Sequence, residues 1–101
     1  MGNLGRTLPT ALMIDAKDNV ATALTPIAKG QRFALGSDEG YGAELTARED
    51  IPRGHKVAKG HIARGAQVIK YGNVIGVAIR EIKSGDHVHI HNLKSLRGQC
   101  D

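Results

Sequence analysis

Ile51-Pro52-Arg53-Gly54-His55-Lys56-Val57 packs an apolar anchor, a tight turn ending in glycine and a second apolar anchor into seven residues. The same arrangement stands at Ile27-Ala28-Lys29-Gly30-Gln31-Arg32-Phe33, at Ile62-Ala63-Arg64-Gly65-Ala66-Gln67-Val68 and at Ile82-Lys83-Ser84-Gly85-Asp86-His87-Val88. Each copy predicts a chain reversal. The Ile and the Val or Phe enter the core, and the glycine takes the positive φ that such a β-turn demands. Pro52 occupies a turn position that wants φ of about −65°. The copies begin 24, 11 and 20 residues apart. Unequal intervals mark corners within one compact domain, not the units of a solenoid.

Working outward, the runs between corners read as strands: Val20 to Leu24, Val57 to Lys59, Gln67 to Tyr71, Val74 to Arg80 and His87 to Leu93. Gly36 to Gly42 is the most loop-like stretch and reads as a surface loop or hairpin tip. No segment sustains a helical period with caps. The expected fold is all-β, built of short, strongly bent hairpins with little or no helix. It occupies residues 13–96, between flexible tails at 1–12 and 97–101.

Composition agrees. A chain of 101 residues makes one domain and buries roughly two-thirds of its unfolded surface. With only Phe33, Tyr41 and Tyr71 as aromatics, and no Trp, the core must come from Val, Ile, Leu and Ala between 13 glycines. The net charge of +4 comes from scattered residues, without the basic stripe and stacking rings that nucleic acid wants, so no nucleic-acid partner is expected. A small anionic ligand or an acidic protein partner accounts for the excess. Cys100 is the only cysteine, which excludes an intrachain disulfide and fits a reducing cytoplasm. No apolar run approaches transmembrane length, and no membrane partner is expected.

The chemistry-bearing stretch is His87-Val88-His89-Ile90-His91-Asn92. On a strand, its period of two puts three imidazoles on one face. Imidazole titrates near neutrality and is the commonest transition-metal ligand. Spacing alone leaves two readings open: a site for metal, carboxylate or proton chemistry, or an edge strand rich in His.

Several words in fixed order then carry a resemblance. Asp18-Asn19-Val20-Ala21, Ile51-Pro52-Arg53-Gly54-His55-Lys56-Val57-Ala58, Val68-Ile69-Lys70-Tyr71-Gly72, Ile75-Gly76 and His87-Val88-His89-Ile90-His91-Asn92-Leu93 together resemble the SAF (β-clip) domain of the altronate dehydratase family. Relatives include galactarate dehydratase and the small subunit of sulfolactate sulfo-lyase. The resemblance spans Ile14 to Leu96, while Gly36 to Glu49 matches no word. The chain ends at Asp101, where altronate dehydratase continues into a large catalytic region. A separate small subunit, inactive without a large catalytic subunit, is therefore expected.

The resemblance implies a lyase acting on a 2-hydroxy acid: α-proton abstraction, loss of a β leaving group, and tautomerisation of the enol to a 2-keto acid. It also implies a divalent metal, Fe²⁺ first, with Mn²⁺ or Mg²⁺ as substitutes. Carried onto this sequence, His89 and His91 are the expected metal ligands, with His55 as a further member of the site. His55, Lys70 and Tyr71 are the expected catalytic groups, and Lys56 and Asn92 the expected substrate contacts. Asn92 meets the histidine face only if a bulge re-aims it. Tyr71 has core packing as its competing role, and Lys56 an exposed or subunit-facing one. His61 and Cys100 are expected to be ordinary surface and an incidental thiol.

Two other function classes stay open. One is a non-catalytic SAF module that presents a surface. The other is a small cupin-like metal enzyme acting alone, which lacks the Glu and further His that cupins carry after the His pair. Within the lyase class, a sugar-acid dehydratase and a sulfolactate sulfo-lyase subunit are not separated by the sequence.

Overall fold

The computed structural model describes residues 8–96. Among them are nine strands and no helix: β1 (Thr10–Leu12), β2 (Val20–Ala23), β3 (Arg32–Ser37), β4 (Gly40–Thr46), β5 (Lys56–Ala58), β6 (Gln67–Lys70), β7 (Asn73–Ala78), β8 (His87–Val88) and β9 (Leu93–Ser95). The fold is the expected all-β one. A six-stranded sheet runs β4-β3-β1-β2-β5-β8, with only β1 and β3 parallel, and a three-stranded antiparallel sheet runs β6-β7-β9. Residues 1–7 and 97–101 lie outside the described residues, so most of the expected tails does too. The last three residues assigned to the N-terminal tail, Thr10–Leu12, instead form β1 inside the large sheet. Ala11 is buried there, which the glycine-rich approach to it concealed.

The four corners build the molecule in pairs. Ile27 and Ile51 exchange both backbone hydrogen bonds, at 2.9 and 2.8 Å, and Ile62 and Ile82 do the same at 2.9 Å each. The turn glycines follow suit: Gly30 N donates to Ala47 O and Gly65 N to Ala78 O, while Gly54 N donates to Ala23 O and Gly85 N to Ala58 O. All four turn glycines have φ between +81° and +89°. Two corners thus make one half of the domain and two make the other, with the same hydrogen-bond scheme. The halves differ in the length of chain between paired corners, so no fixed period shows in the sequence.

Each half has its own core. Ile27, Phe33, Ile51 and Val57 anchor the first, and Ile62, Val68, Ile82 and Val88 the second. Burying each of these side chains contributes about 1.5–3 kcal/mol. The cores share a wall made by β2 and β5. Paired residues Ala21 and Val57 face the first core, and the next pair, Val20 and Ala58, faces the second.

The expected strand from His87 to Leu93 is shorter than its alternation suggests. Only His87–Val88 is strand, and a turn follows. Asn92 causes this. Its Oδ1 accepts from His89 N at 2.9 Å and its Nδ2 donates to His87 O at 2.9 Å, while Asn92 N and Leu93 N both reach His89 O. These bonds replace ladder partners with a local loop.

Candidate functional site: a three-imidazole cluster beside a lysine-lined cleft

The corner at Gly54 aims His55. Its N–H donates to Pro52 O at 3.0 Å and its carbonyl accepts from Ala23 N at 2.9 Å, which fixes the backbone as the chain enters β5. The β5–β8 register pairs Lys56 with Val88 and Val57 with His87. One step further, that register sets His55 across from His89 and diagonal to His87. Such neighbours on one sheet face touch. Ring centroids lie 4.8 Å apart for His55–His89, 5.1 Å for His55–His87 and 5.3 Å for His87–His89. His55 Nδ1 and His87 Nε2 stand 2.9 Å apart, and one nitrogen from each of the three rings fits within 4.8 Å of the others.

His87 is therefore a full member of the cluster, and His91 is peripheral. The His91 ring meets the His87 ring at 5.6 Å and 47°, outside the three-nitrogen group, and it is exposed. The turn imposed by Asn92 breaks the alternation that grouped His91 with His89. Asn92 itself is buried and spends both amide atoms on the backbone, so it shapes the loop that carries the imidazoles.

Partial burial, then the neighbouring His55, holds the His87 imidazole below the ordinary histidine value, with Glu49 opposing. Glu49 Oε2 also accepts from His87 N at 3.1 Å. His89 is lowered as well, by desolvation first and then by His55 and Lys56. Both shifts favour the neutral, metal-binding form of imidazole. Donor chemistry fits a divalent ion, and so does the 2.9 Å His55–His87 pair, since two nitrogens bound at right angles, each at about 2.1 Å, stand about 3 Å apart. The trio would be such an ion's protein ligands.

His89 also lines an open cleft of about 770 Å³, together with Lys56, Lys70, Tyr71 and Lys94. Burial, then the neighbouring Lys70, lowers the Lys56 ammonium from its usual value. Lys70 Nζ lies 4.9 Å from the centre of the Tyr71 ring. Tyr71 is partly exposed at the cleft, not packed in a core, and its hydroxyl donates to Thr22 Oγ1 at 3.2 Å. Its backbone is unusual. Tyr71 and Gly72 form the two-residue turn of the β6–β7 hairpin, with φ of +55° and +78°. A turn with two positive φ values ordinarily begins with Asn, Asp or Gly. Tyrosine there costs on the order of 1 kcal/mol or more.

Asp18 holds that turn, a role the sequence reading did not assign. It is 1% exposed, and its carboxylate accepts from Gly72 N at 2.8 Å and from Ile14 N and Asp15 N at 3.1 Å each. Burial pushes its carboxyl up. Hydrogen bonds from the backbone of Gly72, Asp15, Ile14 and Tyr71 together outweigh that and hold it below the usual carboxylate range. Asn19 adds a second tie to the same hairpin, with Oδ1 accepting from Ile69 N at 2.7 Å and Nδ2 donating to Gln67 O at 2.9 Å. An Asp-Asn pair before a strand was the available signal. It reads as a turn, and only the fold reveals what the turn grips. His61 stands apart, in an exposed 2.8 Å contact with Glu81.

Residues 9–96 match the family model of the altronate/galactarate dehydratase SAF domain. The chain belongs to that family. It is 44% identical over 90 residues to altronate dehydratase of Escherichia coli, an alignment covering 89% of this chain and 17% of the relative. Over 85 residues it is 33% identical to the (2R)-sulfolactate sulfo-lyase subunit alpha of Chromohalobacter salexigens, covering 82% of this chain and 90% of that subunit. Galactarate dehydratase (L-threo-forming) of Escherichia coli is 38% identical over 80 residues, 79% of this chain and 14% of the relative. The chain thus spans about a sixth of the length of the altronate dehydratases it matches, at 17% and 16%, but most of the length of the sulfo-lyase subunit. This SAF domain is related to dehydratases and to a subunit of a multi-subunit lyase. Among the described residues no helix is long and apolar enough to cross a membrane.

Proposed function

We propose that the chain is the SAF component of a lyase that converts a 2-hydroxy acid to a 2-keto acid, working with a larger catalytic chain. In this reading His55, His87 and His89 hold a divalent metal, ferrous iron in the first instance with manganese or magnesium as substitutes. Imidazole donors favour iron over magnesium. His91, outside the trio, is left out of the ligand set. The observation that carries the reading is a trio of imidazoles, one of which, His89, lines a cleft that Lys56, Lys70 and Lys94 also line. When bound, the metal would serve as a Lewis acid toward the substrate's carboxylate and hydroxyl oxygens.

The chain's own groups divide the remaining work. Lys70 and Tyr71 offer a cation and a hydroxyl to the substrate carboxylate. Burial and the neighbouring Lys70 shift the Lys56 ammonium toward release of its proton, the direction that a lysine base for the α-proton needs. Removing that proton leaves an electron pair that forms the C=C bond of an enol as the β substituent departs. The enol then takes a proton on carbon to become the keto acid. A β-hydroxyl leaves as water after protonation, and a β-sulfonate leaves as sulfite.

Coverage of nearly the whole sulfo-lyase subunit favours a sulfonate-bearing substrate as the second reading beside a sugar acid. Anaerobic titration of the purified chain with Fe²⁺, or with Co²⁺ read by its visible absorption, tests the metal assignment. One equivalent should bind, and His55→Ala or His87→Ala should abolish it. Binding unchanged in both variants defeats the assignment. Assay of keto-acid release from altronate, galactarate and sulfolactate with the larger chain present then tests the reaction.

A further inference from the structure

We propose that the apolar lip of the cleft, formed by Val74, Ile90 and Leu96 beside Lys94, is the docking face for an acidic and apolar segment of the larger lyase chain. This rests on the reading of the chain as one component of a lyase and names the surface through which the components meet.

Exposed large apolar side chains gather here. Tyr71, Val74, Ile90 and Leu96 all line the cleft and are at least 38% exposed, and Ile90 reaches 80%. Ile90 sits at the tip of the turn that Asn92 pins from within, so its exposure belongs to a fixed backbone. A rigidly held, solvated isoleucine next to other apolar side chains is the anatomy of an interface anchor.

Charge selects the occupant. Lys56, Lys70 and Lys94 line the same cleft, and among the described residues no carboxylate does. Partner carboxylates would pair with Lys94 at the lip. A second copy of this chain would instead bring the same cations face to face. The face is also continuous with the imidazole trio through His89, so a partner seated on it covers the side of His89 that opens to the cleft.

The test is co-expression of the full chain with the companion subunit of the Chromohalobacter salexigens sulfolactate sulfo-lyase, read by size-exclusion chromatography with light scattering and by titration calorimetry. The unaltered chain and Tyr41→Asp, a change on a 78% exposed side chain of the distant β3–β4 hairpin, should assemble equally. Val74→Asp combined with Ile90→Asp should weaken assembly about tenfold or more while leaving circular dichroism and Co²⁺ uptake unchanged. Assembly of the double variant at full affinity overturns the proposal. So does failure of the unaltered chain to assemble, or a homodimer that the double variant abolishes. Loss of Co²⁺ uptake in the unaltered chain with assembly through this face intact would defeat the metal reading and support this one.

Discussion

His55 Nδ1 and His87 Nε2 meet at 2.9 Å across the edge of the large sheet, although 32 residues separate them in the chain. The Gly54 corner delivers one ring and the strand leaving the Gly85 corner delivers the other. This contact makes His87 the partner of His55 and moves His91 to the margin.

Ligand substitutions should therefore divide unevenly. His89→Ala is expected to reduce Co²⁺ affinity about 100-fold or more, while His91→Ala should stay within the 10-fold to 100-fold range of outer-shell losses, or below it. Titration monitored by visible absorption measures both. Equal losses would return His91 to the ligand set.

Acid should destabilise the metal-free protein through the same rings. The folded-state pKa values of His87 and His89 lie below the ordinary value of 6.5. The unfolded chain then binds more protons between the lowered values and 6.5, so stability is full above 6.5 and is lost as pH falls through the lowered values. Urea midpoints recorded from pH 8 to pH 5 should decline, and the decline should flatten in His87→Ala combined with His89→Ala. An identical slope in that variant would assign the loss elsewhere.

Asp18→Ala should cost about 3 kcal/mol, because it strips a charged acceptor from three backbone N–H groups. Its folded pKa lies below 3.8, so its contribution is present above pH 3.8 and lost as pH falls through the folded value. Chemical denaturation at pH 7 and pH 3 measures both effects.

Two corner glycines should respond very differently to alanine. A Cβ on Gly54 meets nothing within 4 Å, so Gly54→Ala faces only the penalty of a positive φ, about 1 kcal/mol. A Cβ on Gly85 would stand 2.1 Å from Thr46 O, a backbone atom that cannot swing away. Gly85→Ala should destabilise by at least about 3 kcal/mol or fail to fold. Thermal melts of the two variants provide the comparison.

Tyr71→Asn should stabilise the hairpin by about 0.5–1 kcal/mol, since Asn accepts positive φ readily. The same change should lower turnover of the assembled enzyme by removing the hydroxyl from the cleft. A gain in melting temperature without loss of turnover would reduce Tyr71 to a turn residue.

Much of this was legible in the chain. Ile27, Ile51, Ile62 and Ile82 announce themselves as corner anchors because each carries its glycine three residues on. Their pairing does not show, since two residues that exchange backbone hydrogen bonds over 20 or 24 positions leave no local trace. His55 and His89 could be singled out by the family words. The place of His87 against His55 could not be read, because the alternation His87-His89-His91 reads as uniform until Asn92 folds back and ends the strand. Thr10–Leu12 hid behind a glycine-rich approach, and Asp18 looked like a turn former because its backbone partners lie up to 54 positions away.

The wall shared by the two cores has a mechanical meaning. Ala21 and Val57 press on one side, while Val20 and Ala58, their immediate neighbours, press on the other. Neither half owns a complete enclosure, so neither can melt and leave its twin standing. The domain should come apart in one step, and whatever tightens β5 at His55 should be felt at the far end of both halves.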